Sequence, residues 1–207
     1  MRHPIILAVC MAGVTALAGC GEKDANATVE RAFKDVNVVD ETNLSDVMLT
    51  VADPNEAVSY FARSVKESPD RIDHQRGLAA SLVRAKRSTE AVGAWDKVTK
   101  MKGATPEDSV QLADALIRSG NWARAETVLN SIPPTHETFA RYRLEAMVAD
   151  SKEQWSRADS FYEIAVGLTT TPAAVMNNWG YSKLTRGDYP EAERLFGEAI
   201  RQDNTLF

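Results

Sequence analysis

Residues 177–200 read NNWGYSKLTRGDYPEAERLFGEAI. Two stretches of good helix formers flank Gly187-Asp188, a pair suited to a turn because glycine adopts positive φ without steric cost. Gly180 lies twelve residues before Ala192, and Phe196 stands four residues beyond it. The same set recurs up the chain. Ala57, Ala91 and Ala125 are 34 residues apart, Ala158 follows after 33 and Ala192 after another 34. Four residues beyond each stands a large side chain: Phe61, Trp95, Leu129, Tyr162 and Phe196. Twelve residues before each stands a small one: Ser45, Ala79, Ala113, Ala146 and Gly180. Trp122, Trp155 and Tyr189 occupy the position three residues before the alanine in the later copies. Small residues facing each other let two helices cross closely, and the large residue one turn on fills the space beside the crossing. A period of this length marks an array of small supersecondary units.

This pattern resembles the tetratricopeptide repeat (TPR), two antiparallel helices per unit. The expected fold is all-α: a helical-hairpin solenoid, coiled as a right-handed superhelix, with units at 38–71, 72–105, 106–138, 139–172 and 173–206. Strands are poorly supported, since Val/Ile-rich alternating runs are few. Thr105-Pro106-Glu107-Asp108 reads as N-cap, N1 proline and acidic first turn of the third unit. Pro133-Pro134 accounts for its one-residue deficit by ending the second helix early. The first unit is degenerate, with Pro54 expected in its inter-helix turn and weak periodicity before it.

The N-terminus carries a different signal. Arg2 precedes an apolar run from Ile5 to Ala18, too short for a bilayer span of roughly 20 residues, and Leu17-Ala18-Gly19-Cys20 follows. This is the layout of an export signal ending in a sequence that matches the bacterial lipobox. Residues 1–19 are thus expected to be a lipoprotein signal peptide, and Cys20 the lipidated first residue of the mature chain. Cys10 falls in the removed segment, which leaves the mature chain neither a disulfide nor a cysteine-based zinc site. No aspartate follows Cys20, so the expectation is an outer-membrane lipid anchor facing the periplasm. Residues 20–37 are polar and read as a flexible tether, with a short helix expected near Val29–Phe33.

The charge balance of −5 argues against nucleic acid, which requires a basic stripe. Enzymatic chemistry finds no footing. Past residue 20 the histidines are His74 and His136, placed by the register on different units. HETFA, at 136–140, lacks the second histidine of a zinc-protease motif. Neither a glycine-rich phosphate loop nor a nucleophile elbow is present. The reading is therefore of a chain with no catalytic residue, metal, cofactor or small-molecule substrate.

In a TPR array the first helices line a concave groove that holds extended peptides or partner helices. The TPR pattern places the second, fifth, ninth and twelfth residues of each unit there. Candidate groove residues are Arg76, Val83, Asp114, Ile117, Arg143, Met147, Asp150, Asn177 and Tyr181, with Asn178 beside them. A grip on a C-terminal carboxylate would use a basic residue, an asparagine and a second asparagine on the next unit. Arg143 and Asn178 fit the outer places, but Met147 stands in the middle one.

Residues 46–92 and, less specifically, 177–200 are similar to the TadD-like TPR lipoprotein of the tight-adherence (Tad/Flp) pilus assembly system. That resemblance implies a pilotin-like scaffold that helps the outer-membrane secretin assemble, with the secretin or another Tad component as protein partner. A general periplasmic adaptor that recruits or regulates cell-wall enzymes is the alternative. Members of that family continue past the point where this chain stops. Leu195, Phe196, Ile200 and Phe207 are therefore expected to lack a covering helix, either through truncation, the favoured reading, or because a partner completes that end.

Overall fold

The structure is a computed structural model that describes residues 43–203. The lipobox with Cys20, the tether, the short helix near Val29–Phe33, and Phe207 lie outside these residues. Within them the chain is helical throughout, with no strand. Residues 43–50 are helical (α1). Then follow α2 (Pro54–Glu67), α3 (Ile72–Arg84), α4 (Ser88–Val98), α5 (Pro106–Arg118), α6 (Trp122–Ser131), α7 (Phe139–Asp150), α8 (Trp155–Gly167), α9 (Ala173–Thr185) and α10 (Tyr189–Gln202).

Local chemistry sets the helix ends. Pro54 does not sit in the turn of the first unit. It is the first residue of α2, where a missing N–H costs nothing, and Asp53 caps that helix by accepting from the Asn55 and Glu56 amides at 2.8 and 3.2 Å. Thr105 precedes Pro106 at the start of α5, and its backbone N–H donates to Asp108 Oδ2 at 2.7 Å. α6 ends at Ser131, just before Ile132-Pro133-Pro134. The first helix of each later hairpin closes in one way. A residue just past the cap has positive φ: the next one at Lys86 (+59°), Gly120 (+78°) and Gly187 (+82°), and the second one at Glu153 (+58°). The following amide then bonds back across the turn, as in Arg87 N–H to Leu82 O at 2.9 Å and Asn121 N–H to Leu116 O at 2.8 Å. This is the Schellman closure, made twice with glycine and twice without.

Packing follows the small-residue pattern. Ala57, Ala79, Ala91, Ala113, Ala125, Ala146 and Ala158 have no exposed surface. One core cluster runs from Val58 through Leu82, Trp95, Val98, Leu116 and Leu129 to Val148, and a second gathers Ala146, Ala158, Tyr162 and Val175. Phe61 and Tyr162 reach the next hairpin: Phe61 lies on Gly77, and Tyr162 stacks on Trp179 with centroids 6.0 Å apart. At the far end, Leu195 is 1% exposed and Phe196 covers Gly180 of its own hairpin. The crossing of α9 and α10 thus buries Leu195 and leaves Phe196 half-buried, with no further helix over them among the described residues. Of that group Ile200 stays exposed.

Candidate functional site

The first helices α7 and α9, with the starts of α6 and α8, enclose an open hollow of about 630 Å³. Its lining comes from three successive hairpins. Trp122 contributes from the first turn of α6, Met147 and Asp150 from α7, Glu153 from the following turn, Trp155 and Tyr162 from α8, and Asn178, Tyr181 and Ser182 from α9. Tyr181 is 60% exposed and meets the edge of Phe196 with centroids 5.8 Å apart.

Asp150 forms the floor. Its Oδ2 accepts from the Tyr162 hydroxyl at 2.9 Å and its Oδ1 from Ser182 Oγ at 2.7 Å, tying α7 to α8 and α9. Burial raises the Asp150 pKa above its ordinary value, and the two hydroxyl donors only partly offset this. Tyr162, 1% exposed and facing that carboxylate, is pushed far above the ordinary tyrosine value, chiefly by burial. It therefore serves as a hydrogen-bond donor. Behind the hollow, Asp159 receives Trp179 Nε1 at 2.6 Å, Lys183 Nζ at 3.1 Å and the Arg186 guanidinium. Burial opposes its ionisation, but these donors outweigh it and its pKa falls.

The predicted groove residues divide. Met147, Asp150, Asn178 and Tyr181 line the hollow together. Arg143 and Asp114 pair at 3.4 Å, and Asp114 also holds Arg118. Arg76 donates to both Asp108 oxygens at 2.7 Å and to Gly103 O at 3.1 Å, so it staples α3 to α5. Val83 is half-buried against the core and Asn177 is half-buried. Ile117 is 6% exposed and belongs to the core, leaving it almost no surface for a partner. The carboxylate grip is not assembled. Arg143 is neutralised by Asp114, and the Asn178 amide donates to Met147 Sδ at 3.3 Å.

Trp122, Trp155, Tyr162 and Ser182 were not among the predicted groove residues. For the tryptophans a signal was present: an aromatic recurring three residues before the repeat alanine, at the mouth of the groove. Ser182 had none, because only stacking sets it against Asp150. Among the described residues no cluster of three or more His, Cys, Asp or Glu could hold a metal. No described helix is long and apolar enough to cross a membrane.

This arrangement of hairpins is a TPR solenoid. Among solved structures, it resembles TTC0263, a thermophilic TPR protein of Thermus thermophilus, with 15% identity, TM-score 0.68, and coverage of 79% of this chain and 90% of that one. It also resembles MamA (41-end) from Desulfovibrio magneticus RS-1, with 19% identity, TM-score 0.61, and coverage of 80% and 94%. YrrB, a TPR protein described as having an unusual peptide-binding site, matches with 13% identity, TM-score 0.55, and coverage of 79% and 85%. At these identities the likeness is one of fold. No protein-family model matches the chain. A curated relative, stress-induced-phosphoprotein 1 of Caenorhabditis elegans, is 23% identical over 164 residues, 79% of this chain. The chain spans about half the length of that relative (51%).

Proposed function

We propose that this chain is a non-catalytic scaffold that holds an extended segment of a protein partner in the groove of its later hairpins. The observation that carries this reading is the hollow itself, in which three hairpins bring polar and aromatic side chains to one open surface. Its mixture of one exposed ring (Tyr181), two half-buried indoles (Trp122 and Trp155), a thioether and hydrogen-bonding groups suits a peptide, since aromatic side chains add contact area at little entropic cost. The likeness to YrrB supports the same reading.

Leu17-Ala18-Gly19-Cys20 supports a lipid anchor on Cys20, and Gly21 in place of an aspartate after it supports an outer-membrane location facing the periplasm. The similarity of residues 46–92 to the Tad/Flp lipoprotein supports a pilotin-like role toward the pilus secretin. A crosslinked pull-down from membranes tests both, comparing the intact chain with Cys20→Ser and Tyr181→Ala. The expected result is capture of the secretin by the intact chain, reduced by Tyr181→Ala, with loss of the secretin multimer from the outer membrane in the Cys20→Ser strain. Capture of cell-wall enzymes with the secretin multimer intact would replace the pilus role with that of a general envelope adaptor.

A further inference from the structure

The hollow has a charge character that a generic peptide groove does not require. Asp150 accepts only from neutral hydroxyls, those of Tyr162 and Ser182. The cations around it are committed to other acids: Arg143 to Asp114, Lys183 and Arg186 to Asp159, and Lys152 to Glu126. Glu153 adds a second carboxylate at the rim. The flanking rings are those of Trp122, Trp155 and Tyr181. Trp155 already meets one guanidinium within the fold: that of Arg186, which does not line the hollow, lies 5.6 Å from its ring centroid.

We propose, resting on the groove reading above, that the hollow receives an arginine side chain presented by the partner's extended segment, its guanidinium on Asp150 and its stem along Met147 and the aromatic walls. Each Asp150 oxygen accepts one hydrogen bond and keeps a further lone pair, so a planar guanidinium can add two parallel bonds. Planarity and weak hydration favour arginine over lysine beside indole rings. A volume of about 630 Å³ exceeds one side chain, so residues flanking the arginine enter with it. A chain terminus is the wrong ligand here, because its carboxylate would face Asp150 and Glu153.

The test uses the full chain and the indole N–H NMR signals of its four tryptophans. The probes are Nα-acetyl-arginine methylamide and its citrulline counterpart, which has the same shape without the charge. The expected result is movement of the Trp122 and Trp155 signals with the arginine probe, and far less with citrulline. Trp95, 5% exposed in the core, stays fixed and reports that the fold is intact. Asp150→Asn weakens the arginine probe by about tenfold or more, the scale for losing hydrogen bonds to a charged group. Trp122→Ala, which leaves the Asp150 hydrogen bonds in place, also weakens it. Equal response to the two probes, or none at Trp122 and Trp155, overturns the arginine assignment. The pull-down separates the two levels of the reading. A partner captured equally by the intact chain and Asp150→Asn, but lost with Tyr181→Ala, overturns the arginine assignment and leaves the groove reading standing. Capture indifferent to both variants overturns the groove reading.

Discussion

Replacing Gly77 with alanine should destabilise the array, although helix propensity alone argues the opposite. Gly77 lies inside α3, where a glycine-to-alanine change is worth about 1 kcal/mol in favour of the helix. The new Cβ, however, would stand 2.3, 2.4 and 2.7 Å from three carbons of the Phe61 ring, where ordinary contact begins near 3.4 Å. The ring would have to retreat by about 1 Å, a distance at which overpacking dominates. It has little room, being 1% exposed and held edge-on by Tyr60 at 4.9 Å. Overpacking of this kind costs about 1–3 kcal/mol, so the net expectation is a loss of about 1 kcal/mol. Gly93 is the matched control: it lies in α4, is exposed, and a Cβ there meets nothing within 4 Å. Gly93→Ala should therefore gain nearly the full propensity, about 1 kcal/mol. Urea unfolding followed by far-UV circular dichroism measures both, with Phe61→Leu/Gly77→Ala recovering part of the loss through coupling. If Gly77→Ala stabilised as much as Gly93→Ala, the close crossing of α2 and α3 would be refuted.

Asp108→Asn should cost about 1.5–3 kcal/mol at neutral pH, the range for hydrogen bonds to a charged group, measured by the same unfolding assay. Burial raises the pKa of Asp108, but the bonds from Arg76 and Thr105 outweigh it and hold the carboxyl below its ordinary value. A lowered folded-state pKa means this stabilisation is present above the unfolded value of 3.8 and is lost as pH falls through the folded one. The variant should accordingly show a shallower loss of stability below about pH 4. Lys86→Gly should stabilise by about 0.5–1 kcal/mol, because Lys86 holds φ +59° at a turn that Gly120 and Gly187 make without Cβ strain. A fall in melting temperature would show that its side chain, not its backbone, matters there.

The helical-hairpin class was legible because its determinants are short-range and periodic. The small residues of Ala79 and Ala91 are twelve positions apart, the proline of Thr105-Pro106 starts a helix, and Gly120 and Gly187 end one. Each acts on its own turn or on the helix beside it, so one repeat exposes the rule and the next confirms it. Lys86 and Glu153 take the same backbone conformation without the glycine that announces it, because tertiary closure of the hairpin supplies the energy that local preference withholds. The repeat register carries less about the surface than about the crossings. Arg76 and Ile117 stand at groove positions of the repeat, and stacking pairs Arg76 with Asp108 across 32 residues and leaves Ile117 6% exposed in the core.

By itself, then, the sequence determined the all-α repeat, the start of α5 at Thr105-Pro106 and the end of α6 before Pro133-Pro134, and the alanine seam at each crossing. Only the tertiary structure decided which side chains share the hollow. Asp150 meets Ser182 across 32 residues and Tyr162 across 12, and Met147 meets Asn178 across 31. Those meetings depend on the angle and offset between successive hairpins, which many packed contacts set together and no single repeat encodes. The same stacking leaves Asp150 with neutral donors while the surrounding cations pair elsewhere. The electrostatics of the hollow is thus a property of three hairpins in register rather than of any residue's type.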